Sequence, residues 1–307
     1  MLAMFRSPLR AAAIGGVALA LSGCSIKRMA INSLGDALAS GSSSTFARDD
    51  DPELVRDATP FALKTIEALI EQSPRHQGLL TAAASGFTEY GYAFVQQEAD
   101  FTEAKDLERA TELRQRAKHL YLRAAEYGLR GLEVDVPGFR DKLAANPDAV
   151  LAKLGRKHVP LLYWTGAAWA AAFAIDINDS ELSTKQTVIE KMMRRALVLD
   201  EGFDMGALHD FFISWEVAHA STGGSMTAAR AHFARAVELS AGRRVAPFVS
   251  FAESVSINEN NRKEFEKLLN EALAIDLSKA PDQKLANVIN QRRARWLLRR
   301  ADDLFVN

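Results

Sequence analysis

The chain has 307 residues, of which 48% are hydrophobic and 25% are charged, and its formal net charge at pH 7 is −1. A near-neutral chain without a basic excess lacks the clustered lysine and arginine side chains that neutralise phosphates, so we expect no nucleic-acid partner. The hydrophobic fraction allows a sizeable core, and the length alone is typical of two domains.

The first 23 residues have the organisation of a cleaved bacterial lipoprotein signal. Arg6 and Arg10 form a basic start, and Ala11–Leu21 is an apolar run of 11 residues. Such a run is too short to cross a hydrocarbon core of about 30 Å as a helix. It ends in Leu-Ser-Gly-Cys, which resembles a lipobox, and Cys24 is the only cysteine of the chain. We predict cleavage after residue 23 and lipidation of Cys24; a plain secretory signal with an incidental cysteine is the alternative.

Lipidation of Cys24 has consequences for stability and location. Acyl chains bury methylene groups at about 0.8 kcal/mol each, which is enough to retain a protein at a membrane. No cysteine remains for a disulfide, so the stability of the fold must come from burial of its core. Ser25 stands where an aspartate would alter sorting, which predicts the periplasmic face of the outer membrane.

Residues 24–51 are predicted to form the lipidated N-terminus of the mature chain. A short amphipathic helix is expected over Ser25–Ala39, because apolar residues recur there at helical spacing. The serine-rich run Ser40–Thr45 has too little apolar surface to order itself, so we interpret it as a tether.

Helical signals dominate residues 52–307. Asp51 and Thr59 are each followed by proline, which is the pattern of an N-cap before the first helical position. Apolar residues recur at helical spacing from Leu54 to Leu304, and the period-2 alternation of strands is absent over any useful length. The predicted fold class is therefore all-α.

Internal repeats predict stacked helical hairpins. Ala117, Tyr121 and Ala124 fit the A-x3-[FY]-x2-A spacing of the second helix of a tetratricopeptide (TPR) repeat, a second copy begins at Ala229, and two looser copies occur. Three of the copies end at intervals of 40 and 36 residues, near the TPR period of 34. Because such hairpins bury a face only by stacking, we predict one TPR-like domain over residues 52–307.

The sequence offers no identifiable catalytic or metal-binding motif. G-x-S-x-G, H-E-x-x-H and a glycine-rich phosphate loop do not occur. Asp176 begins an imitation of a calcium loop, but Glu181 and Thr187 occupy the positions that need glycine and a bidentate glutamate. Glu216 and His219 have the spacing of half a di-metal site without its second half, so a satisfied histidine beside a carboxylate is the simpler interpretation. We predict no enzymatic activity, cofactor or metal.

Aromatic and small residues concentrate in one uncharged run, Pro160–Ile175. A helix that is apolar on every side is buried on every side, and its alanines and glycine leave room for close neighbours or for a space. Together with aromatic residues of a later helix, this run predicts a cleft for a hydrophobic ligand, and packed core is the simpler alternative. The candidate cleft residues are Trp164, Trp169, Phe173, Phe211, Phe212 and Trp215.

A basic helix is predicted at the C-terminus, from about Pro281 to Leu304. Five arginines surround Trp296 on it. Because the last repeat of a stack needs a polar outer face, we interpret it as a solvated capping helix, with docking of an acidic partner or of lipid headgroups as the alternative.

Several segments together resemble the T component of TRAP transporters over nearly the whole mature chain. They are Tyr163–Trp169, Gly206–His209, Gly223–Ser225, His232–Ala236 with Leu239 and Ser240, and Asn287–Ala294. The resemblance implies an all-helical, TPR-like periplasmic lipoprotein that partners the substrate-binding P component of a TRAP system. It also implies an ability to form trimers and an apolar cleft or pore suited to hydrophobic solutes.

Two functions are consistent with these features. The first is a non-enzymatic, lipid-anchored protein that docks the P component and holds or relays a hydrophobic solute. The alternative is a TPR-like scaffold lipoprotein for envelope or pilus assembly, with no small ligand.

Overall fold

The structure, a computed structural model, describes residues 45–305. The predicted signal peptide, Cys24, the helix expected over Ser25–Ala39 and nearly all of the tether lie outside the described residues. Within them the chain is helical and contains no strand, which confirms the all-α fold class. In this part of the chain no helix has both the length and the apolar content needed to cross a membrane.

Fourteen α-helices lie between Pro52 and Leu304. They are α1 (Pro52–Gln72), α2 (Gln77–Tyr90), α3 (Gln97–Thr102), α4 (Leu107–Asp135), α5 (Phe139–Ala145), α6 (Pro147–Leu151), α7 (Val159–Ile175), α8 (Ser180–Leu199), α9 (Ala207–Ala218), α10 (Met226–Leu239), α11 (Ala246–Phe251), α12 (Arg262–Ala274), α13 (Lys284–Arg299) and α14 (Ala301–Leu304). Two π-helical segments, π1 (Gly91–Gln96) and π2 (Ala252–Ser256), continue α2 and α11.

The start of α1 follows one of the two predicted proline signals. Asp51 caps the helix by accepting hydrogen bonds from the backbone N–H groups of Glu53 and Leu54. The second signal, at Thr59, is wrong as a helix start because Pro60 lies inside α1. The Thr59 hydroxyl instead donates to the carbonyl of Val55 at 2.6 Å. The exposed position of Pro60 explains why it is tolerated, because water can satisfy the carbonyl that loses its N–H partner.

Consecutive helices pack as hairpins. The pairs α7 and α8, α9 and α10, and α11 and α12 each make extensive contacts, and α4 packs against both α2 and α7. The small residues that carried the repeat pattern are fully buried at these contacts, as shown by Ala117, Ala124 and Ala236. Helical hairpins are therefore present, while their arrangement as stacked TPR-like repeats stays an interpretation.

The apolar side chains form two separate cores. The larger core runs from α1 to α9, and the smaller core runs from α9 to the C-terminal helices. Helix α9 contributes to both, because Phe212 and Trp215 belong to the larger core and Ile213 belongs to the smaller one. Asp210 of α9 and Arg244, which directly precedes Val245 of the smaller core, place charged side chains at this junction.

The last long helix returns to the first ones, so the series of hairpins closes on itself. Arg293 of α13 forms an ion pair with Asp100 of α3 at 3.0 Å, and Trp296 packs on Phe101 with ring centroids 5.2 Å apart. Arg292 also pairs with Glu53 of α1 at 2.8 Å. The solvated face predicted for this helix does not include Arg293, whose side chain is only 11% exposed.

Candidate functional site between the two cores

The six aromatic residues predicted to wall a cleft differ in burial. Trp169, Phe212 and Trp215 are buried in the larger core. The other three residues, Trp164, Phe173 and Phe211, are half-buried.

The aromatic residues form two groups, one on each helix. On α9, Phe211 stacks on Trp215 with ring centroids 5.3 Å apart, while on α7 Trp164 meets Tyr163 edge to face at 4.9 Å. Among the described residues no ring-to-ring contact joins the α7 aromatics to those of α9. A cleft shared by all six residues therefore stays a prediction.

Glu89 of α2 marks a recess between the cores. More than a third of its surface is accessible, yet its pKa is raised from 4.5 to about 7, first by desolvation and then by the negative charge of Asp204. Accessible surface together with strong desolvation indicates that Glu89 faces a concave region of the protein, which we call the recess. Tyr163 and Asp210 are half-buried and burial raises the pKa of each, while the charges of Glu89 and Asp210 also act on the Tyr163 hydroxyl.

Arg244 supplies the positive charge of this recess. Its side chain is 8% exposed, and its Nη2 atom lies 3.6 Å from Asp204 and 3.9 Å from Asp210. Burial acts against the charge of Arg244, but the two carboxylates outweigh it and hold the pKa of the guanidinium above its usual value. We refer to Glu89, Asp204, Asp210 and Arg244 as the interior charge cluster.

A second charged group lies where the chain closes. Arg293 donates two hydrogen bonds to Glu253, at 2.7 and 2.8 Å, and one to Asp100 at 3.0 Å. Tyr92 lies beside them, and burial raises its pKa to about 12 against the opposing effect of Arg293. Tyr92 and Glu253 are carried by π1 and π2, and π-helical segments occur frequently at functional sites.

His209, His219 and His232 each contact neighbouring side chains. The Nδ1 atoms of His209 and His232 are 2.8 Å apart, and burial lowers the pKa of both rings, to about 4 for His232. His219 bonds to Gln186 at 2.7 Å, while Glu216 accepts from Arg194 at 3.2 Å. No group of three potential metal ligands occurs within residues 45–305. The interior charge cluster can bind a polar group of a ligand, and we propose no chemical reaction for it.

The sequence did not predict the interior charge cluster. Asp210 gave a weak signal, because it is a charged residue in an otherwise apolar stretch of α9. Glu89, Asp204 and Arg244 gave none, since they lie on separate elements and no spacing connects them.

The comparisons with known proteins agree with the sequence resemblance. A protein of Treponema pallidum (strain Nichols) is 33% identical over 307 residues, covering 94% of this chain and 95% of the relative, and is described only as uncharacterized. The family model of the TRAP transporter T-component matches residues 48–305. By that description, members of the family are components of TRAP transport systems. The chain belongs to the TRAP transporter T-component family.

Proposed function

We propose that this protein is a lipid-anchored periplasmic component that docks the solute-binding P component of a TRAP system and holds or relays a hydrophobic solute. Membership of the T-component family supports the link to such a system. The lipobox at Cys24 supports anchoring at the periplasmic face of the outer membrane. A closed series of TPR-like hairpins would offer the P component a broad surface, and the family resemblance supports a trimer.

The recess between the cores is the observation that carries the solute part of this proposal. Glu89 and Tyr163 line it, and the half-buried Trp164 lies beside Tyr163. A solute with an apolar body fits a space bounded by two apolar cores, because its transfer from water is favourable. The polar lining would orient one end of the solute.

Native mass spectrometry of the mature acylated chain, released in detergent with and without the P component of the same organism, tests both parts. We expect a complex of the two proteins and a bound lipid-like mass on the chain. Trp164→Arg is expected to reduce the bound fraction several-fold, because a charge beside the recess opposes an apolar ligand. Val198→Arg is the matched control, since Val198 is 78% exposed.

Two outcomes would contradict the proposal. Failure to recover the P component under any crosslinking condition would contradict docking and favour the scaffold alternative. A chain that never carries a bound mass would exclude solute binding. Melting curves of both arginine variants separate loss of ligand from loss of fold.

A further inference from the structure

The interior charge cluster is held in place by a strained turn. Three successive residues between α8 and α9 have positive φ, with 43° at Asp204, 54° at Met205 and 91° at Gly206. Such conformations cost energy in residues other than glycine and collect at ligand-binding and active sites. The turn places the Asp204 carboxylate where it accepts a hydrogen bond from Gln283 at 2.6 Å and faces Arg244.

Arg244 lies between two carboxylates without bonding to either. Its distances of 3.6 Å to Asp204 and 3.9 Å to Asp210 exceed hydrogen-bond length. The Nη1 atom of Arg244 and the Oδ1 atom of Asp210 are both buried and have no hydrogen-bond partner. Buried polar groups are almost always paired, so one free donor and one free acceptor in this cluster point to a ligand group that both accepts and donates hydrogen bonds.

The charges of the cluster constrain what that group is. Asp204 and Asp210 lie 3.6 and 3.9 Å from Arg244, and the negative charge of Asp204 also acts on Glu89, so these side chains share one electrostatic environment. A simple anion would be repelled by Asp204 and Asp210, and a simple cation would be repelled by Arg244. A group carrying both charges complements the whole cluster.

An aromatic wall adjoins the charges. Phe203, directly before Asp204, packs against Tyr163 with ring centroids 5.2 Å apart, and Tyr163 meets Trp164 at 4.9 Å. An apolar side chain attached to the charged group would contact this wall.

We propose that the interior charge cluster binds the ammonium and carboxylate groups of an α-amino acid with an apolar side chain, the carboxylate on Arg244 and the ammonium on Asp210. This inference rests on the proposed function, because it names the class of solute that the recess holds.

Three probes of similar size test the proposal by calorimetry on the mature acylated chain in detergent. L-Phenylalanine has both charges, 3-phenylpropanoate lacks the ammonium group, and 2-phenylethylamine lacks the carboxylate. We expect L-phenylalanine to bind at least tenfold more tightly than either analogue. Equal binding of one analogue would overturn the proposal in favour of a simple anion or cation site, and absence of binding by all three would overturn it outright.

Two variants test which residue binds the carboxylate and which binds the ammonium group of the ligand. Arg244→Gln is expected to weaken the binding of L-phenylalanine at least tenfold. Arg243→Gln is the control, because Arg243 is the exposed neighbour of Arg244. Asp210→Asn keeps the shape of the side chain, so it serves even if Arg244→Gln fails to fold. Asp210→Asn is expected to weaken the binding of L-phenylalanine tenfold, while 3-phenylpropanoate should bind as tightly as before or more tightly. Equal weakening of the binding of both probes would contradict the assignment. If the phenyl probes fail while native mass spectrometry still finds a lipid-like mass, only this inference is lost.

Discussion

Glu89 shows at the residue scale how the recess affects stability. Its pKa of about 7 in the folded protein lies above the ordinary value of 4.5, so the folded state holds this proton more tightly than the unfolded chain does. The free energy of unfolding therefore falls as the pH rises from about 4.5 to about 7, and the loss stays constant above that range.

Replacing the carboxyl of Glu89 by an amide should remove this loss. We expect Glu89→Gln to melt about 2–4 °C above the parent at pH 8, equivalent to about 1 kcal/mol, because solvent partly screens a carboxylate this exposed. The difference should vanish at pH 4.5. Circular dichroism melts at both pH values measure it, with the exposed Glu71→Gln as control. A difference that does not depend on pH would show that Glu89 does not titrate as described.

At the element scale, the contact between α4 and α7 depends on one glycine. A Cβ atom at Gly128 would lie 2.0 Å from the Thr165 hydroxyl oxygen and 3.1 Å from the Thr165 Cβ. Thr165 is fully buried and its hydroxyl donates to the carbonyl of Leu161 at 2.6 Å, so it has little freedom to move away. Small residues at positions 128 and 165 let the two helices approach closely.

Gly128→Ala should therefore destabilise the protein by about 1–3 kcal/mol, because overpacking outweighs the better helix propensity of alanine. Urea unfolding midpoints measure the loss. Gly155→Ala is the control, since a Cβ atom there meets nothing within 4 Å. Adding Thr165→Ala should recover part of the loss, and failure to recover any would place the strain elsewhere.

The sequence predicted the helices better than the contacts that bring α13 back to the first helices. Helical spacing and the small residues at Ala117 and Ala124 are local signals, and the structure places them in helices with buried small residues at the contacts. The ion pair between Asp100 and Arg293 joins residues 193 positions apart. Nothing in the sequence around either residue indicates the other, so α13 resembled a solvated terminal helix. The interior charge cluster escaped prediction for the same reason.

At the scale of the whole molecule, the two cores share α9, and polar contacts predominate where α13 meets the first helices. Arg48 with Asp282 and Lys284 with Asp50 add exposed ion pairs to the buried Arg293 group. Exposed pairs contribute about 0–1 kcal/mol each, whereas breaking a buried pair by removing one partner costs about 3–5 kcal/mol. Arg293 should therefore dominate this closure.

Spin-label distances across the closure test the role of Arg293. A Cys24→Ser chain has no other cysteine, so labels at Glu98→Cys on α3 and Arg295→Cys on α13 report only this separation. We expect a narrow distance distribution that broadens in Arg293→Met, which keeps the side-chain length but leaves Asp100 and Glu253 without their cation. Arg299→Ala, an exposed change on the same helix, should leave the distribution narrow. An unchanged distribution in Arg293→Met, with helicity retained, would mean that the Phe101 and Trp296 contact closes the molecule without the buried ion pair.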